Sequence, residues 1–198
     1  DVKWAKLITA FGASDSKHTT QTKNMDYING SLYLSGMMKG GFAPYGEEEA
    51  RIASKSTPLN GFVIKCDASN GEWLGGVSAD EQGIGGYFGV AKGKENNLYA
   101  YGYSWATPNK GICLTTIDES CWAKTEKIAL ITETGMGTAW SCLADGTNFY
   151  SFSRGNKAVN FYNSEFTLPA PTGWGMFISS WKLDDIATGI ETPNLAGN

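Results

Sequence analysis

The side chains able to do chemistry in this 198-residue chain are few, and their spacing excludes more than it offers. His18 is the single histidine, so zinc sites built on clustered histidines and schemes needing two imidazoles are ruled out. A Ser-His-Asp triad would have to use His18, whose polar neighbourhood from Ser14 to Thr22 reads instead as a solvated loop. The run Gly83-Ile84-Gly85-Gly86-Tyr87-Phe88-Gly89 is glycine-rich like a phosphate loop. No Lys-Ser/Thr follows it, and a strand rather than a helix comes next, so it reads as a turn before a strand. The 20 Asp and Glu are scattered, and Glu47 to Glu49 reads as a solvated run. Asp184-Asp185 lacks the Asp-x-Asp-x-Asp/Asn-Gly loop that calcium binding asks for. The sequence thus offers no catalytic residue and no metal ligand, and no cofactor is expected; calcium is the one considered, with no loop motif behind it.

Cys66, Cys113, Cys121 and Cys142 have no Cys-x-x-Cys spacing. Four cysteines allow three pairings into two disulfides, and buried unpaired thiols are the favoured alternative. The aromatic residues carry the positive signal. Trp4, Trp73 and Trp122 come back at matching places in a repeat and read as core. Trp105, Trp140 and Trp174 do not recur. Trp105 and Trp174 lie in or beside variable loops, and Tyr87 and Trp140 begin strands that come first in their repeats. Tyr87, Trp105, Trp140 and Trp174 are therefore the candidate ligand-binding residues, able to stack on a sugar face or dock a protein.

The elements that would position them are strands. Twenty-five glycines, 13% aromatics and only 18% charged residues suit turn-rich β structure. A net charge of −4 with two arginines, Arg51 and Arg154, leaves no basic footprint for nucleic acid, and no apolar run approaches the roughly 20 residues of a membrane helix. Three kinds of segment recur in the same order. Ser31-Leu32-Tyr33-Leu34 is echoed by Asn97-Leu98-Tyr99-Ala100 and Asn148-Phe149-Tyr150-Ser151. Gly61-Phe62-Val63-Ile64 is matched by Gly111-Ile112-Cys113-Leu114 and Gly175-Met176-Phe177-Ile178. Trp-led strands start at Trp4, Trp73 and Trp122, and a further strand precedes each Leu/Phe-Tyr segment: Thr22 to Tyr27, Tyr87 to Lys92, Thr138 to Ala144. Asp67-Ala68-Ser69-Asn70-Gly71 and Asp118-Glu119-Ser120 read as hairpin turns, as does Asn29-Gly30-Ser31, which also has the pattern of a glycosylation triplet. Spacing between the second and third strands varies, and the long versions hold Phe42-Ala43-Pro44 and Phe166 to Pro171. One helix-prone run, Glu47 to Ala53, predicts a turn or two of helix inside the first insertion.

Four meandering strands per unit of roughly 50 residues predict an all-β chain of β-propeller blades. The expected limits are a first strand at 3–9, blade 1 at about 22–78, blade 2 at about 87–128, blade 3 at about 138–184, and a linker or tail at 186–198. A polar turn, Leu32-Tyr33-Leu34-Ser35-Gly36, a variable insertion and Gly61-Phe62-Val63-Ile64-Lys65-Cys66-Asp67 together resemble the repeats of bacterial secreted β-propellers, grouped loosely with quinoprotein-like propellers. The resemblance runs from Trp4 to Asp184 and implies a fold more than a function. In that family Lys-Leu-Asp ends the third strand: Lys182-Leu183-Asp184 fits, Lys65-Cys66-Asp67 nearly fits, and Thr116-Ile117-Asp118 departs. What it implies is a non-enzymatic, extracytoplasmic binding or structural module, adhesion-like at a cell surface, whose partner is a protein or a carbohydrate. The rival is a propeller enzyme or cofactor-binding, quinoprotein-like domain using the central channel. A sialidase-type propeller is rejected, because two arginines cannot make a three-arginine carboxylate clamp. Three blades fall short of the usual four to about eight. The expectation is further blades, or a second copy in which each chain's first strand completes the other's last blade. Asp1 opens the chain as either a mature secreted protein or a segment of a longer one.

Overall fold

A computed structural model describes residues 2–11, 21–54, 59–79, 84–93, 96–104, 111–133, 137–161 and 167–187. The chain is all-β, with antiparallel sheets and a single short helix among the described residues. Strand β1 (Ile8–Phe11) comes first and is followed by three meanders. The first meander is β2 (Gln21–Ile28), β3 (Ser31–Met38), β6 (Asn60–Asp67) and β7 (Trp73–Ser78), hydrogen-bonded in that order. The second is β8 (Ile84–Lys92), β9 (Asn97–Ser104), β10 (Gly111–Asp118) and β11 (Ala123–Glu133). The third has three strands, β12 (Gly137–Ala144), β13 (Asn148–Gly155) and β16 (Gly175–Lys182). Insertions between the second and third strands carry their own short strands. Those are β4 (Gly41–Pro44) and β5 (Ile52–Ala53) in the first meander, β14 (Val159–Phe161) and β15 (Thr167–Leu168) in the third.

The second strands of the three meanders share a register. Ser31, Asn97 and Asn148 open the second strands and face Asp67, Asp118 and Lys182. Each first strand also carries one extra residue at the same place. The pairing jumps past Lys23 opposite Ser35/Gly36, past Phe88 opposite Tyr101/Gly102, and past Trp140 opposite Phe152/Ser153. A shared bulge is a stronger sign of common design than shared residue types, because it is a specific local irregularity in the ladder. The turns follow the residues that build them. Asn29 and Gly30 both take positive φ, 48° and 81°, the two-residue turn whose twist matches the flanking strands. Asp67 and Asp118 each accept bonds from the backbone N–H and hydroxyl of the serine two residues on, at 2.5–2.8 Å.

Two apolar clusters join the three meanders face to face, and a third packs Phe42 and Ile52 of the first insertion on Phe62 and Ile64 of the first sheet. Between the first and second sheets, Tyr33, Val63 and Val77 meet Tyr87, Val90, Leu98 and Cys113. Tyr87 lies flat against the space left by Gly61 and Gly102, where a Cβ would come within 2.7 Å and 2.9 Å of its ring. Between the second and third sheets, Tyr99, Tyr101, Ile112 and Leu114 meet Cys142 and Phe149, with Phe177 and Trp181 at the margin. A polar clamp crosses the first junction. Glu119, its side chain only 7% exposed, accepts bonds from Tyr33 Oη at 2.5 Å, from Lys65 Nζ at 3.0 Å, and from Lys92. Burial pushes its carboxyl up, but the bonds from Lys92, Tyr33 and Lys65 outweigh this and hold it below the usual range.

Several expectations need correction. The first strand starts at Ile8 rather than residue 3, because Trp4 turns aside to donate its indole N–H to Ala68 O at 3.1 Å and lie over Gly71. Trp73 and Trp122 differ as well: Trp73 opens β7 opposite Cys66 and packs on the cluster of Phe62 and Ile64, whereas Trp122 sits in the turn before β11 at a φ of 55° and lies on Gly75 of the neighbouring sheet. Glu47 to Ala53 is not helical. Phe42 pairs with Ile52 in a β ladder, and Arg51 closes the bend with an ion pair to Glu47. The tail does not begin at 186, since α1 (Leu183–Ala187) buries Leu183 and Ile186 in the core. None of the four cysteines forms a disulfide, and Cys121 alone is exposed.

Candidate functional site

The third sheet turns one face to the second sheet and leaves the other open. Alternation along β13 and β16 sorts the side chains: Phe149, Ser151 and Ser153 are buried, while Phe152 and Arg154 point to the open face. Along β16, Met176 and Ile178 are 76% and 75% exposed and pair with Arg154 and Phe152. The bulge in β12 puts Trp140 on the same side, its ring 6.5 Å from Phe152. Gly173, at a φ of 103°, turns the incoming loop so that Trp174 reaches the group from the far side.

Arg154 organises these aromatics. Its guanidinium carbon lies 5.3 Å from the Trp140 ring centre and 4.6 Å from that of Trp174, so one cation binds two indoles. Such contacts are worth about 0.5–1 kcal/mol each at exposed sites. Its Nε is buried with no hydrogen-bond partner, and the guanidinium has no carboxylate partner among the described residues. The β12–β13 turn below is fixed by Asp145, which accepts bonds from the backbone N–H of Thr147 and Asn148 and from Tyr150 Oη. Those bonds hold its carboxyl far below the usual range. The face is therefore apolar at its centre and cationic.

Of the four sequence candidates, the structure brings two together. Trp140 and Trp174 flank Arg154, each about half exposed. Tyr87 is not a surface residue: it is fully buried between the first two sheets, because glycines on both sides make room for it. Trp105 lies outside the described residues, as does His18. Sequence reasoning missed Arg154, Met176 and Ile178. The signal was present in the scarcity of arginine and in two large apolar residues at alternate positions of β16.

No protein-family model matches this chain, and no curated protein is significantly similar to it.

A concave surface lies at the first sheet. A groove of about 780 Å³ runs between the segment Trp4 to Ile8 and the open face of the first sheet, lined by Met25, Leu32, Leu34, Cys66 and Trp73. The first strands of the three meanders meet along the middle of the molecule and contain one carboxylate, Asp26. Asp26 accepts a bond from the Val90 N–H at 3.0 Å and from Asn24, while burial raises its pKa. Among the described residues no three His, Cys, Asp or Glu are grouped as they would be around a metal ion.

Proposed function

We propose that the three meanders are blades of a β-propeller arc, and that the chain is a non-enzymatic binding module whose contact surface is the face around Arg154. One comparison carries this reading. By register, Ile178 stands where Leu114 and Val63 stand in the other sheets, and Met176 where Ile112 stands. Leu114 and Val63 are 0% exposed and Ile112 is 2%, each covered by the next sheet, whereas Ile178 is 75% exposed. A face patterned for burial against a protein surface, and left open, is best explained by a protein partner. Half-exposed indoles stacked on an arginine are the residue types that anchor such contacts. The extracytoplasmic setting rests on the resemblance of these repeats to those of secreted proteins.

The rival enzyme would need paired acid and base groups along the inner strands, and Asp26 engaged with Val90 and Asn24 serves neither role. Photo-crosslinking tests the reading. A benzoylphenylalanine at position 178 is expected to give a protein adduct that Trp174→Ala weakens. A glycan-array signal lost in Trp174→Ala, with no protein adduct, would overturn it in favour of a carbohydrate ligand.

A further inference from the structure

The two ends of this molecule are unfinished in complementary ways. Strands β6 and β10 each hydrogen-bond to an outer strand, β7 and β11, but β16 pairs with β13 alone among the described residues. At the other end, β1 holds an outer-strand place, paired only with the insertion strand β4 among the described residues. The pairing pattern shows this. Strand β14, from the third meander's insertion, pairs antiparallel with β11, the outer strand of the preceding sheet, matching Ile131 with Phe161 and Thr132 with Asn160. Strand β4, from the same insertion of the first meander, pairs antiparallel with β1 and matches Ile8 with Pro44 and Thr9 with Ala43. Each is flanked by a second insertion strand, β15 or β5. The paired residues agree in type, Leu7-Ile8-Thr9 standing where Leu130-Ile131-Thr132 stands, although the latter lies five residues further from its Trp-Ala-Lys than the former. So β1 holds, beside the first meander, the place that β11 holds beside the third. Its remaining edge, the one by which β11 bonds to β10, is unpaired among the described residues.

The faces tell the same story. Met25 is 60% exposed, while Val90 and Cys142 at the same register in the other sheets are 2% and 7% exposed, covered by the sheet before them. Among the described residues, the first sheet thus has only β1, β4 and β5 in front of it, covering Phe62 and Ile64 but not Met25, and the third has no sheet behind it.

Taking the binding reading above as its basis, we infer that the partner is a second copy of this chain. Strand β1 of each copy adds antiparallel to the β16 edge of the other, and the face bearing Met176 and Ile178 stacks on the other copy's face bearing Met25 and Leu34. The contact is head-to-tail and is made twice, which closes the assembly at two copies. Two arcs of three sheets make six, within the usual range of about four to eight for a closed ring. Closure also removes both free strand edges, which otherwise template uncontrolled pairing.

Sedimentation equilibrium of the full chain gives the test, read alongside the crosslinker at position 178. The expected result is a species of twice 21.3 kDa, with the crosslink mapping to the first sheet of the other copy. Ile178→Asp is expected to weaken self-association by about tenfold or more while leaving the far-UV circular dichroism unchanged. Met176→Lys, at a site equally exposed in the single chain, serves if Ile178→Asp misfolds. A 21.3 kDa species at all concentrations, or open-ended oligomers, would overturn the inference. An adduct with some other protein would overturn it too, yet leave the binding reading standing; the absence of any protein adduct would remove both.

Discussion

Replacing Glu119 with glutamine tests the clamp between the first two sheets. The substitution keeps the side chain's volume and an acceptor for Tyr33, removes the charge that Lys65 and Lys92 share, and puts an NH2 donor in place of the oxygen that accepts from Lys92. Truncating one partner of a fully buried ion pair costs about 3–5 kcal/mol. Here the lysines are 24% and 30% exposed and keep part of their hydration, so the loss falls to about 2 kcal/mol. For a chain of this size that corresponds to a fall of about 4–8 °C in Tm. The pH dependence has a definite sign. The folded-state pKa of Glu119 lies below its ordinary value, so its contribution is complete above the unfolded pKa and is lost as pH falls through the folded one. Differential scanning calorimetry from pH 7 down to about 3 should therefore show the two proteins converging in acid. Equal Tm values at pH 7, or a gap that stays constant into acid, would refute the assignment of Glu119 as the ionised centre of this junction.

Two further outcomes follow from burial. Leu114→Ala removes a fully buried side chain between the second and third sheets and should cost about 2–5 kcal/mol in urea unfolding, whereas Ile178→Ala, at the same register in the third sheet, should cost far less when the chain is dilute. Among the thiols, Cys121 is exposed while Cys66, Cys113 and Cys142 are buried, and burial pushes the Cys66 and Cys142 thiols up. An aromatic disulfide reagent should titrate one thiol promptly and the remaining three only in denaturant.

Local chemistry made the strands legible. Leu32-Tyr33, Leu98-Tyr99 and Phe149-Tyr150 sit just after polar turns, and all three open second strands in the same register. Asp67 and Asp118 marked their turns because a short carboxylate next to a serine has one favourable thing to do there. What depended on distant partners was hidden. Tyr87 looks like a surface aromatic until Gly61, 26 positions earlier, is seen to leave room for it in the neighbouring sheet. Trp4 matches Trp73 and Trp122 in type but bonds to Ala68, a contact no window of sequence contains. Glu47 to Ala53 has good helix formers, and a ladder with Phe42 outweighs them. The site was half visible: Trp140 and Trp174 stood out as unrepeated aromatics, but their common neighbour Arg154 emerges only when β12, β13 and the loop before β16 converge.

The extra residue carried by every first strand, at Lys23, Phe88 and Trp140, makes the three units modular parts. A segment cut from one unit and spliced into another at equivalent positions would keep its inward and outward side chains in phase, since the irregularity travels with it. Copying residues 84–133 in tandem should accordingly yield a longer array with one more internal junction, a direct handle for engineers wishing to set the number of sheets by gene duplication.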